Sequence, residues 1–149
     1  MPQFDRVLIP LDFSELSDTV LRYGVELTAE GGTTFLLHVL EPLPMHMESA
    51  FGAFVNTEGL ARIRENAEEL LDDAVARYPE RKFHTELVDG KPSSNILEAA
   101  ERHRAQLIVM GTHGRGGIED LFLGSTAGKI VRKARCPVMS VRTRDDSGV

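Results

Sequence analysis

The stretch AQLIVMGTHGRGGIEDLFLGSTAGKIVRKARCPVMSVR, residues 105–142, contains two short apolar runs separated by a glycine-rich loop and a helical pattern. The runs AQLIVMG and CPVMSVR are typical of strands in a buried sheet. Between them, GSTAGKIVRKAR predicts a helix that ends before Pro137. Strand, helix and strand in this order predict a parallel pair of strands joined by a crossover helix.

The same alternation extends through the rest of the chain. FDRVLIPLD (residues 4–12) and TTFLLHVLE (residues 33–41) are nearly continuous in apolar character, as strands buried on both faces are. KFHTELVD (residues 82–89) alternates more clearly between apolar and polar residues, which favours a position nearer an edge. The sequence therefore predicts five strands.

Two of the intervening helices have predicted caps. Ser14 can cap a helix through SELSDTVLRYGVELTAE, which Gly31 and Gly32 would end. Ser93 or Ser94 can cap the helix SSNILEAAERH.

The longest helix is predicted from about Thr57 to Tyr78, before Pro79. Its apolar residues recur at steps of three or four: Leu60, Ile63, Ala67, Leu70, Leu71, Ala74 and Tyr78. Strict alternation of strands and helices predicts an α/β fold, a three-layer sandwich around a five-stranded parallel doubly wound sheet with strand order 3-2-1-4-5.

Length and composition fit one globular domain. The chain has 149 residues, of which 42% are hydrophobic and 27% charged, and we expect one domain over residues 1–143 with a mobile tail at 144–149. With 17 basic and 23 acidic residues, it has no electrostatic footprint for nucleic acid or an anionic membrane. Residues 1–15 do not resemble a signal peptide, so we expect a cytoplasmic protein. The single cysteine, Cys136, is expected to be a buried, inert thiol rather than a reactive one.

A binding site is predicted where the sheet order reverses, between strands 1 and 4. Strand 1 ends at Pro10 to Asp12, and strand 4 runs into residues 111–126, which carry five of the chain's 13 glycines. Loop amides and a helix N-terminus suit phosphate oxygens, and Ser125 and Thr126 add hydroxyl donors.

Two common phosphate motifs are absent from this loop. GSTAGKI has three residues between its glycines, where the P-loop needs four, and Ile130 follows the lysine instead of Ser or Thr. Gly114, Gly116 and Glu119 place an acid where the third glycine of the Rossmann pattern belongs.

A different spacing fits: Gly111, two residues, Gly114, nine residues, then Gly124 and Ser125. This pattern resembles the phosphate and ribose loop of the universal stress protein family, in its ATP-binding branch. The resemblance extends over nearly the whole chain, through the segments VLIPLDFSE, LLHVLE, VDGKPSSNILEAA, LIVMGTHGRGG, LGST and CPVMSVR.

The resemblance implies an adenine nucleotide alpha hydrolase-like fold and a set of nucleotide contacts. It implies that Asp12 and Pro10 lie beside adenine and ribose, and that Val39 meets adenine through its backbone. The implied ribose and phosphate contacts are Gly111, Thr112, His113, Gly114, Arg115, Gly124, Ser125 and Thr126. The expected ligand is ATP, with ADP or AMP left open, and Mg²⁺ or Mn²⁺ held mainly through the phosphates. We therefore name no metal-ligating residue.

The resemblance also implies a homodimer through the last strand, Cys136 to Arg142, with higher oligomers and an unknown protein partner left open. It implies slow ATP hydrolysis at most, in a protein with a regulatory role. Glu119 and Asp120 are near the glycine loop, but no spacing places either against a terminal phosphate, so we name no catalytic residue.

Simpler interpretations stand beside these assignments. Asp12 could help Ser14 cap the first helix, Gly124 and Ser125 could be only a helix start, and His113 and Arg115 could be solvated loop residues. His38 is interpreted as a satisfied core or ligand-wall histidine. Residues 41–56 form either a flap or partner-binding segment, or a loop packed on its own domain.

Three other classes of protein were compared with the pattern. A dimeric stress-response scaffold independent of nucleotide remains the main alternative. A phosphoacceptor receiver domain needs paired acids after strand 1, where Leu11, Asp12 and Phe13 stand. A flavin-binding carrier needs aromatic stacking partners, and the chain has no Trp and only two Tyr, although Phe51 keeps this class open.

Overall fold

The computed structural model describes residues 3–42, 57–112 and 124–142. Strands and helices alternate through them: β1 Phe4–Pro10, α1 Ser17–Leu27, β2 Thr28–Leu40, α2 Thr57–Ala76, β3 Lys82–Asp89, α3 Pro92–Arg102, β4 Leu107–Gly111, α4 Ser125–Lys133 and β5 Val138–Val141. This confirms the alternation that the sequence predicts.

The five strands form one parallel sheet in the order β3-β2-β1-β4-β5. The predicted fold class and strand order are therefore confirmed, and β3 lies at an edge as its alternating pattern indicates. The direction of winding changes between β1 and β4, which puts a crevice outside the carboxyl ends of these two strands.

Helices cover both faces of the sheet, because alternate residues of β1 belong to two separate apolar clusters. Val7 and Ile9 pack in one cluster with residues of α1 and α2, whereas Leu8 packs in the other with Ile96 of α3 and Ile130 of α4. All five side chains are almost fully buried. The result is the three-layer sandwich that the sequence predicts.

The first helix is shorter than predicted at both ends. It begins at Ser17, after Leu16, and Ser14 does not cap it. It ends at Leu27 and not at the glycine pair, because Thr28 has extended backbone and bonds through its hydroxyl to the carbonyl of Gly24 at 2.8 Å. Residue 28 already belongs to β2, where it lies opposite Phe4 of β1.

The other helix predictions need smaller corrections. Helix α3 begins at Pro92 after Lys91, so neither Ser93 nor Ser94 caps it; proline at the first position needs no backbone N–H partner. Within the described residues helix α2 spans Thr57–Ala76, so it ends two residues before the predicted Tyr78.

The apolar stripe of α2 is only partly buried. Its buried residues are Ala67, Leu71 and Ala74. By contrast, Leu60, Ile63 and Leu70 are 55%, 53% and 42% exposed, so the predicted apolar face is wider than the buried one.

The cysteine is half-buried instead of fully buried. Cys136 packs at the rim of the cluster formed with α3 and α4. Burial raises the pKa of its thiol, which lowers the thiolate fraction available for reaction at neutral pH. This environment agrees with the expected inert thiol.

Candidate functional site

The predicted site lies where β1 and β4 end beside each other. Val7 and Leu8 of β1 pair with Leu107 and Ile108 of β4, so the two strands run in register toward the same edge of the sheet. The chain then returns to this edge, because the N–H of Gly124 donates to the carbonyl of Thr112 at 2.9 Å. The start of α4 is thus tied to the end of β4.

Asp12 follows β1 and is tied to the start of α1. Its Oδ1 accepts from the N–H of Ser14 at 2.9 Å and from Oγ of Ser17 at 3.3 Å. Both bonds use one oxygen, so among the described residues Oδ2 keeps its acceptor capacity. Asp12 therefore organises the turn before α1 and can still accept a hydrogen bond from a ligand, so the simpler and the functional interpretations are compatible.

The turn after β1 is conformationally unusual. Phe13 has a φ of 57°, which a bulky residue rarely adopts. Its ring packs against the imidazole of His38, with 4.6 Å between ring centroids. Backbone held in a disfavoured region tends to occur at functional sites, which agrees with the placement of Asp12 here.

His38 fixes this turn to β2. Its Nδ1 lies 2.6 Å from the carbonyl oxygen of Leu11, and a carbonyl can only accept, so Nδ1 carries the proton. The interpretation of His38 as a satisfied histidine is confirmed. It positions the β1 turn, and with it Asp12, against the end of β2.

Val39 offers backbone groups on the side of β2 that faces β1. The β1–β2 pairing ends at Pro10 and Leu37, and the carbonyl of Leu37 accepts from the N–H of Leu11 at 2.8 Å. Alternate residues of a strand direct their N–H and C=O groups to the same side. The N–H and C=O of Val39 therefore point to the β1 side, as those of Leu37 do, but lie beyond the last β1–β2 pair. This position suits recognition of a flat base edge.

Gly111 ends β4 and Thr112 directly follows it. The Thr112 side chain is 2% exposed and its hydroxyl donates to the carbonyl of Val141 at 3.4 Å, so it is directed into the sheet. A Cβ added at Gly111 would contact Leu16 and Val20 at 3.5 and 3.8 Å, toward α1 and not toward the crevice. The Thr112 hydroxyl is thus used inside the sheet, and a side chain at Gly111 would meet Leu16 and Val20.

The N-terminus of α4 has the features of an anion site. Its N-cap is Gly124, which has no side chain to bond the first-turn N–H groups. Ser125 is exposed and Thr126 half-exposed, so their hydroxyls border the same space. These donors and the positive end of the helix dipole favour phosphate oxygens.

Positive charge accumulates close to this helix start. Lys129 lies one turn into α4, and the ammonium of Lys91, the N-cap of α3, lies close enough to lower the pKa of Lys129. Two like charges held together are relieved by an anion between them. A negatively charged group near Lys91 and Lys129 would reduce the repulsion between them.

Several predicted residues lie outside the described part of the chain. These are His113, Gly114 and Arg115 of the glycine loop, Glu119 and Asp120, and all of the 41–56 segment after residue 42. Of the predicted site residues within the described part, the structure brings Pro10, Asp12, Val39, Gly111, Thr112, Gly124, Ser125 and Thr126 to the carboxyl edge of the sheet.

A second polar cluster escaped the sequence analysis. Glu86 of β3 contacts the imidazoles of His84 and His103 through one oxygen, and Arg102 donates to the other. Burial raises the pKa of Glu86, but the bonds from His103 and Arg102 outweigh it, so the pKa lies below its usual 4.5. His84 and Glu86 are two residues apart in a predicted strand and so share a face, which is the sequence signal that could have found them.

The strand order defines a doubly wound α/β domain, a class in which ligands bind in the crevice where the sheet order reverses. The sequence profile of the Universal stress protein family matches residues 3–142. A universal stress protein of Thermus aquaticus is 35% identical over 140 residues, which cover 93% of this chain and 99% of that protein. The chain belongs to the universal stress protein family.

Solved structures agree with this assignment of the fold. The structure of MJ0577, a universal stress protein of Methanocaldococcus jannaschii, has a TM-score of 0.82 at 24% identity, covering 96% of this chain and 99% of that one. A universal stress protein in complex with cAMP has a TM-score of 0.64 at 23% identity, covering 94% and 98%. One from Archaeoglobus fulgidus in complex with dAMP has a TM-score of 0.62 at 24% identity, covering 94% and 96%.

Among the described residues, every helix is too short or too polar to span a bilayer.

Proposed function

We propose that this chain is an ATP-binding universal stress protein that acts as a nucleotide-dependent regulatory or stress-response dimer. The observation that carries the proposal is the start of α4 beside the end of β4, where the N-cap residue is a glycine without a capping side chain and the sheet order reverses. Two proteins of the same fold have been solved with cAMP and with dAMP, and both ligands are adenine nucleotides.

The described residues fit the three parts of an adenine nucleotide. The backbone of Val39 would read the base edge, with Pro10 on the same wall, and Oδ2 of Asp12 would accept from a ribose hydroxyl. The phosphates would lie on the amides and hydroxyls of Ser125 and Thr126. The backbone of Gly111 and Thr112, with Gly124 and the loop residues His113, Gly114 and Arg115, completes the proposed contacts.

The proposal includes Mg²⁺ or Mn²⁺ held mainly by the phosphates, where the ion would offset their charge. The proposal includes slow ATP hydrolysis at most, as the resemblance to the ATP-binding branch of the family implies. We assign no catalytic residue. Binding and release of the nucleotide, rather than its turnover, would carry the regulation.

A homodimer through the last strand completes the proposal. The strand β5 pairs with β4 on one side and is otherwise an edge, and Met139 on it is 37% exposed. An uncovered edge strand pairs readily with another chain.

We place this single domain, residues 1–143, in the cytoplasm, with residues 144–149 as a tail. A dimeric scaffold that works without nucleotide is the alternative function.

Substituting Gly124 tests the phosphate site without weakening the helix. Gly124 has φ −53° and ψ 160°, a conformation open to other residues, and Asp is among the preferred N-cap residues. Gly124→Asp would cap the first-turn amides itself and place a negative charge where the phosphates bind. We expect the stability of this variant to be unchanged or slightly higher. Its ATP affinity should fall at least about tenfold, which corresponds to the loss of one hydrogen bond to a charged group.

The measurement is calorimetric titration of nucleotide-free protein with ATP and Mg²⁺, and then with adenosine. Gly124→Asn is the matched control, since it caps the helix without adding charge and should lose less ATP affinity than the Asp variant. Adenosine affinity should be the same in all three proteins, because the base and ribose contacts lie elsewhere. Equal ATP affinity in wild type and the Asp variant would contradict the assignment, and no binding to wild type would favour the scaffold.

A further inference from the structure

Three side chains with metal-ligating atoms converge at the edge strand, on the face of the sheet that α3 covers. Nε2 of His84 lies 3.3 Å from Oε1 of Glu86, and Nε2 of His103 contacts the same oxygen. The three ligating atoms lie within 4.8 Å of one another. This His84–Glu86–His103 cluster belongs to β3 and to the residue directly after α3, and it is separate from the proposed nucleotide contacts.

The fold holds the cluster in place before any ligand arrives. His84 and Glu86 share a face of β3, and Phe35 lies directly opposite His84 on β2. The ring of Phe35 stacks on the imidazole of His103, with centroids 4.4 Å apart and planes 20° apart. The backbone N–H of His103 bonds to the carbonyl of Ala99 at 2.9 Å, which fixes this histidine to the end of α3.

Arg102 orients the carboxylate. It donates to Oε2 of Glu86, while both imidazoles meet Oε1. A hydrogen bond to the carboxylate oxygen that does not face the metal commonly positions a ligating carboxylate. The glutamate side chain is 18% exposed and that of His103 is 15% exposed, whereas that of His84 is 53% exposed, so the cluster opens to solvent on one side.

We propose that His84, Glu86 and His103 bind a divalent transition-metal ion of the Zn²⁺ type. Two imidazole nitrogens and one carboxylate oxygen are a ligand set that zinc uses when one tetrahedral position stays open to water. Zinc bond lengths of about 2.0–2.1 Å separate neighbouring donors by about 3.3 Å in a tetrahedral site. The His84–Glu86 separation already fits, whereas Nε2 of His103 has to move away from Oε1 of Glu86 to make room for the ion.

The donor chemistry selects this class of ion. Mg²⁺ prefers oxygen ligands in octahedral geometry, so it suits a nucleotide's phosphates and not this cluster. An ion here joins the end of α3 to the edge strand β3, and because it binds the folded chain it raises the melting temperature as its concentration rises. The cluster is thus a stabilising metal site at the edge of the sheet opposite β5.

The test uses tag-free, chelator-treated full-length protein titrated with Zn²⁺ in a calorimeter, with thermal melts in parallel. His84→Ala removes the most exposed ligand, and Glu86→Gln keeps the shape of the carboxylate but weakens it as a ligand. Thr85→Ala is the matched control, because its side chain is exposed on the opposite face of the same strand.

We expect one Zn²⁺ per chain in wild type and in Thr85→Ala, with a higher melting temperature, and at least tenfold weaker binding in His84→Ala and Glu86→Gln. Co²⁺ in place of Zn²⁺ should give the visible absorption of a four-coordinate site in wild type only. No Zn²⁺ binding to wild type, or equal binding in all four proteins, would leave the cluster as an ion-paired contact and overturn the proposal.

Discussion

Alanine at Gly24 should destabilise the protein even though alanine is the better helix former. Gly24 lies in the middle of α1, where the helix rests directly on β1. A Cβ at this position would lie 2.7 Å from Cγ1 of Ile9 and closer still to its Cδ1. Ile9 is fully buried within the cluster that includes residues of α1, so moving its side chain disturbs packed neighbours.

The magnitude follows from two opposing effects. Overpacking a well-packed core costs about 1–3 kcal/mol, and replacing a helical glycine with alanine returns at most about 1 kcal/mol. Gly24→Ala should therefore lose up to about 2 kcal/mol. For a domain of this size that corresponds to a fall in melting temperature of about 2–4 °C for each kcal/mol.

A second helical glycine supplies the control. In α4, a Cβ at Gly128 would come no closer than 3.5 Å to the flexible end of Arg132, so Gly128→Ala should gain up to about 1 kcal/mol. Urea and thermal unfolding of both variants measure the contrast. In an Ile9→Val background, which lacks Cδ1, Gly24→Ala should cost less. Stabilisation by both alanines would refute the close approach of α1 to β1.

Three further predictions concern the proposed nucleotide site and the His84–Glu86–His103 cluster. His38→Ala removes the bond to Leu11 that holds the β1 turn, and a loss of about 0.5–1.5 kcal/mol should weaken ATP binding about 2- to 10-fold, measured by calorimetry; unchanged affinity would argue against a positioning role. Thr112→Val removes the buried hydrogen bond to Val141 and should lower the free energy of unfolding. ATP affinity should change less than about twofold, because the Thr112 hydroxyl faces the sheet. A large loss of ATP affinity would show that this hydroxyl contacts the ligand. The folded-state pKa of Glu86 is lowered, so the stability that its carboxylate contributes is present above pH 4.5 and is lost as the pH falls below that value. In metal-free urea titrations, Glu86→Gln should have a lower free energy of unfolding than wild type at neutral pH, and this difference should disappear in acid. A difference that does not change with pH would contradict this prediction.

The sheet could be predicted because its strands are defined by their own residues. Continuous apolar runs in β1, β2 and β4 and the clearer alternation of β3 correctly indicated buried and edge positions. The ends of the helices were harder to predict, because contacts with residues distant in the sequence determine where a helix ends. Helix α1 ends at Leu27, where the hydroxyl of Thr28 bonds to the carbonyl of Gly24 and to the hydroxyl of Thr34, and the second contact exists only once β2 is in place.

The site was predictable in location but not in the role of each side chain. Strand order alone puts Asp12 and the start of α4 at the same edge. No local pattern shows that the Thr112 hydroxyl turns toward β5, or that His38 holds the turn before α1. In the cluster around Glu86, the sequence of β3 shows that His84 and Glu86 share a face of the strand. It does not show that the end of α3 brings His103 to the same place.

The nucleotide carried by freshly purified protein tests the central claim most directly. The protein is denatured, and any released nucleotide is identified and quantified by chromatography, for wild type and for Gly124→Asp. We expect an adenine nucleotide near one per chain in wild type and little in the variant. An empty wild type that also fails to take up added ATP with Mg²⁺ would contradict it.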